Sequence, residues 1–143
     1  MLHTVREPVH IGELELNFLA DEAHGVDSVV MFEFTVPPHA RVPAPHYHRD
    51  VDEVLYGLDG VLTVTVDGHA HALRAGDSIV IPRGRPHHHE NRDAAIARAL
   101  VVLTPGTISR RYFEEIAAVV NAPGRPDPAV VDRIMRRYGL IPA

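Results

Sequence analysis

Between Leu14 and Leu103 the chain reads as short apolar runs, each cut off by turn residues. Leu14-Glu15-Leu16-Asn17-Phe18 alternates strictly, which in a strand sends one set of side chains to a core and the other to water. Ser28–Val36 is rich in β-branched and aromatic residues and stops at Pro37-Pro38, as a strand does where ladder donors run out. The pattern predicts further strands at Glu53–Leu58 and Val61–Val66, joined by Asp59-Gly60 as a hairpin-type turn. Asp67-Gly68 is a second such turn, leading into His69–Leu73, and Ala75-Gly76-Asp77 precedes Ser78–Ile81. Ala94–Leu103 closes the series. At least seven strands at regular spacing with Gly-rich turns predict an all-β antiparallel sandwich or barrel.

After Thr104-Pro105-Gly106 the period lengthens. Tyr112, Phe113, Ile116, Val119 and Val120 fall at helical spacing within Arg110–Val120, and Asn121 to Pro126 ends that helix. Asp127 is placed to cap a second helix with Pro128 at its first position, and Val130, Val131, Ile134, Met135 and Tyr138 give it an apolar stripe. Gly139 is a natural stop. The organisation expected is a barrel over residues 1–107 and a helical extension over 108–143. Neither helix is long enough to stand alone, so both must pack on the barrel or on a partner. Their large apolar residues predict a homodimer; the competing reading folds them back over the barrel of a monomer.

Composition narrows the classes. With 143 residues the chain makes one domain with a real core, and 45% hydrophobic with 23% charged residues is ordinary for a globular protein. A net charge of −5 gives no basic footprint for nucleic acid or an anionic membrane. There is no cysteine, which removes disulfides and thiolate metal sites and is compatible with a reducing compartment. The N-terminal residues lack a basic segment followed by an apolar run, and no stretch approaches the roughly 20 apolar residues of a bilayer span. A cytoplasmic protein is expected.

Eleven histidines are many for this length, and their arrangement matters more than their number. His46 and His48 share strand parity, so on an extended segment both project from one face, roughly 7 Å apart. Glu53 follows, and His87 lies in Gly76–Asn91. A carboxylate buried unpaired costs several kcal/mol, and three neutral imidazoles do not offset that; a divalent cation does. Nitrogen and oxygen donors without sulfur suit iron, manganese, nickel, copper or zinc rather than calcium or magnesium.

Read as spacing, the first segment is His46-x-His48, four residues, Glu53, six residues, Gly60. The second is Gly76, five residues, Pro82-x-Gly84, two residues, His87, three residues, Asn91. Both resemble, in order, the two motifs of the cupin superfamily, with the short inter-motif gap of small bacterial members. One departure is Ala40, where the family's first motif usually opens with Gly; it touches a turn and not a ligand. The resemblance implies a double-stranded β-helix, a jelly-roll-like barrel, holding one divalent transition metal on His46, His48, Glu53 and His87. The intact histidine and glutamate set and the helical tail near Tyr138-Gly139-Leu140 are most similar to the small quercetin-dioxygenase-like cupins. That likeness implies a metal-dependent dioxygenase-like oxidoreductase acting on a small organic molecule, with Glu53 as ligand or, when displaced, as a general base. The alternatives are a non-catalytic metal or small-ligand binding domain, and a metal-dependent isomerase or decarboxylase.

Other residues carry weaker signals. His89 shares parity with His87 and faces the same interior, either as a partner orienting a ligand or substrate or as a core histidine bonded to a backbone carbonyl. Tyr47 points away from the ligands by parity. His69 and His71 lie on one solvated strand face. Arg83 and Arg85 flank Gly84, placed either to gate an anionic substrate or simply to face solvent.

Overall fold

Alternation with a period of two sets burial most clearly in residues 14–18, Val30–Val36 and Ala97–Thr104, where every second side chain is buried. The computed structural model describes residues 1–4 and 6–143. In chain order the strands are β1 (Val9–Ile11), β2 (Leu14–Ala20), β3 (Val30–Val36), β4 (His46–His48), β5 (Asp52–Asp59), β6 (Val61–Val66), β7 (His69–Arg74), β8 (Ser78–Ile81), β9 (His87–Glu90), β10 (Ala97–Thr104) and β11 (Leu140–Pro142). Helices α1 (Arg110–Val120) and α2 (Pro128–Arg137) lie between β10 and β11. Two antiparallel sheets form, one in the order β1-β2-β3-β10-β5-β8 and the other in the order β11-β4-β9-β6-β7. Leu14, Leu16, Phe18, Phe32, Phe34, Leu55, Leu62, Val64, Val101 and Leu103 fill the space between them. This is the two-sheet jelly-roll solution, in which one face of each sheet is buried against the other.

The Asp59-Gly60 turn is not a hairpin. β5 pairs with β10 and β8 in one sheet, whereas β6 pairs with β7 and β9 in the other, so the chain changes sheets at this corner. Gly60 has φ of 62°, and a Cβ there would collide with the carbonyl oxygen of Ile96. Local turn chemistry therefore looked like a hairpin while the close approach of backbone demanded the glycine. Asp67-Gly68 is a hairpin: both residues have positive φ, the geometry that two-residue connections favour.

The helices bury part of their stripes inside the chain. Tyr112, Ile116, Ile134 and Met135 are buried in the same core as the barrel residues. The Asp127 side chain caps α2 by accepting from the Ala129 N–H at 2.9 Å, with Pro128 at the first position. α2 then leads into β11, which pairs with β4 in the register Leu140↔His48 and Pro142↔His46. No helix is long and apolar enough to cross a membrane among the described residues.

Candidate metal centre

Three strands supply the site. His46 and His48 alternate inward on β4, and His46 is paired directly with His87 of β9. The short β4 follows Pro43-Ala44-Pro45 and is held on both edges, by β9 and by the tail strand β11. The second-motif turn is tied to the same strand: Gly84, at φ of 82°, donates its N–H to the His48 carbonyl at 2.8 Å. Asn91 closes the motif as a clamp, donating to the Val36 and Ala95 carbonyls at 2.9 and 2.7 Å. Glu53 projects inward from β5 in the facing sheet.

The four side chains are buried, His46 at 8%, His48 at 5%, Glu53 at 6% and His87 at 2% exposure. His46, His48 and His87 bring one donor atom each within 4.8 Å of one another, and Glu53, His87 and His89 form a second such triad. His87 belongs to both. Of the expected four, His46, His48 and His87 converge as one group, while Glu53 meets His87 and His89 in the other, so the two groups join only through His87. The Glu53 Oε2 lies 3.3 Å from the Nε2 of His87 and 3.3 Å from the Nε2 of His89. Burial has not paired His89 with a backbone carbonyl: its Nδ1 has no partner among the described residues and its other nitrogen faces Glu53.

Tautomers are set by the backbone. His46 Nδ1 donates to the Ala44 carbonyl at 3.0 Å and His87 Nδ1 to the Arg85 carbonyl at 2.9 Å. Each ring must carry its proton on Nδ1 to do so, leaving the Nε2 lone pair free and aimed inward. The Nε2 of His87 and the Oε2 of Glu53 have no hydrogen-bond partner among the described residues. Buried orphan atoms of this kind are costly, and a cation satisfies both. Burial, helped by neighbouring His87, pushes His46 down to about 3. Burial also pushes His48 down to about 4. Both rings are neutral at physiological pH, the form in which an imidazole could hold a metal. Burial alone would raise Glu53, but the His89 and His87 rings facing it hold its carboxyl well below the usual range. Burial works against a His87 cation, and Glu53 overrides it, so His87 is raised. A buried carboxylate that favours positive charge on the facing His87 ring is where a metal ion would fit. The cluster is suited to metal binding.

The donors open onto a cavity of about 80 Å³, several times the roughly 10–15 Å³ that one water requires. His46, His48, Glu53 and His89 line one part; Leu16, Phe32, Phe34, Val101 and Leu103 form apolar wall. The helical tail contributes Ile108, Tyr112, Phe113 and Leu140. Nothing in the sequence pattern marks these last residues, because helical spacing shows which residues are buried but not that a ligand cavity lies beneath them. Arg83 and Arg85 do not gate the cavity. Arg83 is paired with Asp52 at 3.0 Å and Arg85 with Asp67, and neither lines it. Tyr47 is half-buried and also absent from the lining. His69 and His71 are exposed.

Comparison with known proteins gives the family. The family model described as the Cupin domain matches residues 32–103, which contain both motifs, and the chain belongs to that family. The tetracenomycin polyketide synthase protein TcmJ of Streptomyces glaucescens is 35% identical over 60 residues, 42% of this chain and 40% of that protein. The quercetin 2,3-dioxygenase of Bacillus subtilis is 43% identical over 44 residues, 31% of this chain and 13% of its own length. The chain therefore spans less than half of either relative. Among solved structures, a sugar phosphate isomerase of the cupin superfamily from Silicibacter pomeroyi superposes with a TM-score of 0.60 at 26% identity, covering 71% of this chain and 70% of that one.

Proposed function

We propose that this cupin is a mononuclear metal-dependent enzyme, dioxygenase-like, acting on a small organic molecule inside the barrel. The observation that carries the reading is the set of unpartnered, inward-aimed donors at the edge of an apolar cavity. His46, His48, Glu53 and His87 would hold the ion. A bound iron, manganese, nickel, copper or zinc ion would supply Lewis acidity and, for the redox-active members, a route to dioxygen chemistry. The chain's own residues do the rest. The apolar wall excludes water and orients the substrate body. The Glu53 Oε2, when not held by a cation, sits where it can take a proton from a substrate hydroxyl, with His89 Nε2 at 3.3 Å steadying the carboxylate. The short match to a protein named quercetin 2,3-dioxygenase supports the same class.

Among the described residues no Lys or Arg lines the cavity, so a substrate phosphate lying away from the ion would find no counter-charge there. This weighs against carrying over the reaction in the Silicibacter neighbour's name, and confines the isomerase and decarboxylase alternative to substrates whose charged group the ion itself would hold. The non-catalytic alternative differs in outcome. An oxygen-electrode screen of metal-loaded protein against enol and catechol-type compounds should give consumption that Glu53→Gln abolishes; metal binding without turnover of any compound would favour a binding domain.

The expected cytoplasmic location remains part of this proposal, as does a homodimer to which the C-terminal helices contribute. Val119, Val120, Val130 and Val131 of the helical stripes are only partly buried, and the register places Met31, Val102, Val54 and Val80 in one outward row of the first sheet, beside the 45%-exposed Tyr56. Light scattering should return twice the chain mass of 15.8 kDa; a single-chain mass would remove the dimer.

A further inference from the structure

β1 lies at the edge of its sheet and pairs with β2 alone. Its outer edge therefore presents backbone groups that no ladder satisfies. Asn121, the residue that follows α1, supplies a partner with its side chain. Its carbonyl oxygen accepts from the Gly12 N–H at 2.8 Å, and its amide donates to the His10 carbonyl at 2.7 Å. One carboxamide thus meets a C=O and an N–H two residues apart, as a parallel neighbouring strand would. Ile11 is the residue between those two bonds, and it lines the cavity. Across the turn it is paired with Leu14, which lines the cavity as well. Asn121 itself is exposed and does not line it.

Those bonds sit at the rim. Leu14, Leu16, His46, His48 and Leu140 are buried, whereas Ile11 is half-buried and Pro43, in the segment before β4, is exposed. That places the way out between the β1–β2 hairpin and Pro43. The free side of the hairpin is also tied to α1 further back, where Arg110 donates to the Glu7 carbonyl at 2.7 Å. Of these two ties, Asn121 is the one at the rim. Neither His10–Gly12 nor Asn121 falls within residues 32–103, the segment that the family model matches. Two exposed hydrogen bonds are weak enough to break locally while the barrel stays folded. We propose that Asn121 is a positioning residue for the cavity mouth. It latches the β1–β2 hairpin to α1 and holds Ile11 across the entrance, and release of the latch admits small molecules to the interior histidines. The latch rests on the cavity and the hairpin, and not on the ion.

The test uses diethyl pyrocarbonate, a small neutral reagent that modifies imidazole nitrogens, on the metal-free full chain. The rate at each histidine is read by peptide mass spectrometry for wild type and Asn121→Ala. His46, His48, His87 and His89 report the interior. His69 and His71, exposed on β7, report the reagent's own reactivity. His24, whose side chain is 6% exposed and does not line the cavity, reports general unfolding. The expected result is that Asn121→Ala speeds modification of the interior set about five- to thirtyfold, the loss of two modest hydrogen bonds, with His24, His69 and His71 unchanged. A merely structural role would speed His24 together with the interior set; that result, like no acceleration at all, would overturn the latch. Zinc content of the same two proteins, by elemental analysis after incubation with zinc, separates the latch from the metal reading. Equal zinc with no change in rate sinks the latch alone, and acceleration in a chain that takes no zinc sinks the metal reading alone.

Discussion

His46/His48 on β4 and His69/His71 on β7 are both His-x-His pairs on strands, and only the first makes a site. His46 and His48 are 8% and 5% exposed, within the barrel and beside His87. His69 and His71 have the same spacing and parity, yet both are exposed, opposite Val66 and Val64 on an edge strand. Spacing settles only that two rings share a face. What separates the pairs is which face the topology closes over, and whether a carboxylate and a third imidazole arrive from other strands. The inner pair is desolvated, its surroundings partly set by backbone carbonyls, with orphan atoms beside it. The outer pair has water.

That contrast can be broken in four ways. The largest effect is on metal content. His87→Ala should lower metal affinity by more than the roughly 10–100-fold that loss of an outer partner costs, whereas the double variant His69→Ala/His71→Ala should bind as wild type; equilibrium dialysis with elemental analysis reads both. Equal losses would mean that the inner cluster is nothing special.

Removing the metal should come next. An ion that binds only the folded barrel stabilises it by about 4 kcal/mol when its free concentration is roughly 1,000 times its dissociation constant. EDTA should therefore lower the melting temperature, and Glu53→Gln should shrink that difference. A melt indifferent to chelator would contradict a tight site.

The metal-free protein should also be acid-sensitive. His46 and His48, at about 3 and about 4 in the folded chain, bind protons more weakly than when unfolded at the usual 6.5. Their contribution to stability is present above 6.5 and is lost as pH falls toward 4, by at most about 1.4 kcal/mol per pH unit for each. The raised His87 acts in a different window: its contribution is fully present below 6.5 and is lost as pH rises through its raised value, so it does not alter the slope between 6.5 and 4. Glu53, held low, loses its contribution only below the ordinary carboxylate range. The net expectation from chemical denaturation is falling stability between pH 6.5 and 4; a flat profile there would count against buried neutral rings.

The smallest effect concerns His89. Replacing it with Ala removes the group at 3.3 Å from Glu53 Oε2 and should weaken metal about tenfold. No change would make His89 a packing residue only.

Much of this is legible in the amino-acid pattern alone. Parity places His46, His48, His87 and His89 inside, and the period change at Thr104-Pro105-Gly106 locates both helices. The sheet change at Gly60 is not legible there, because a turn's residues report local backbone angles and not which sheet receives the next strand. β11 is hidden for another reason. Leu140-Ile141-Pro142 is too short to carry a strand pattern, and its pairing with β4 is set by a partner about 90 residues earlier. The place of Tyr112 in the cavity wall is hidden because an apolar stripe says that a face is covered, not what lies beneath it.

The central claim is that one ion sits between the three imidazoles and Glu53. The direct measurement is an anomalous difference map from crystals of protein purified without a nickel column. Data are collected on both sides of the absorption edge of whichever metal elemental analysis finds. The account predicts one strong peak bounded by His46, His48, His87 and Glu53, and none at His69 and His71. A map with no peak among those four side chains, from protein that elemental analysis also finds metal-free after incubation with each candidate ion, would contradict it.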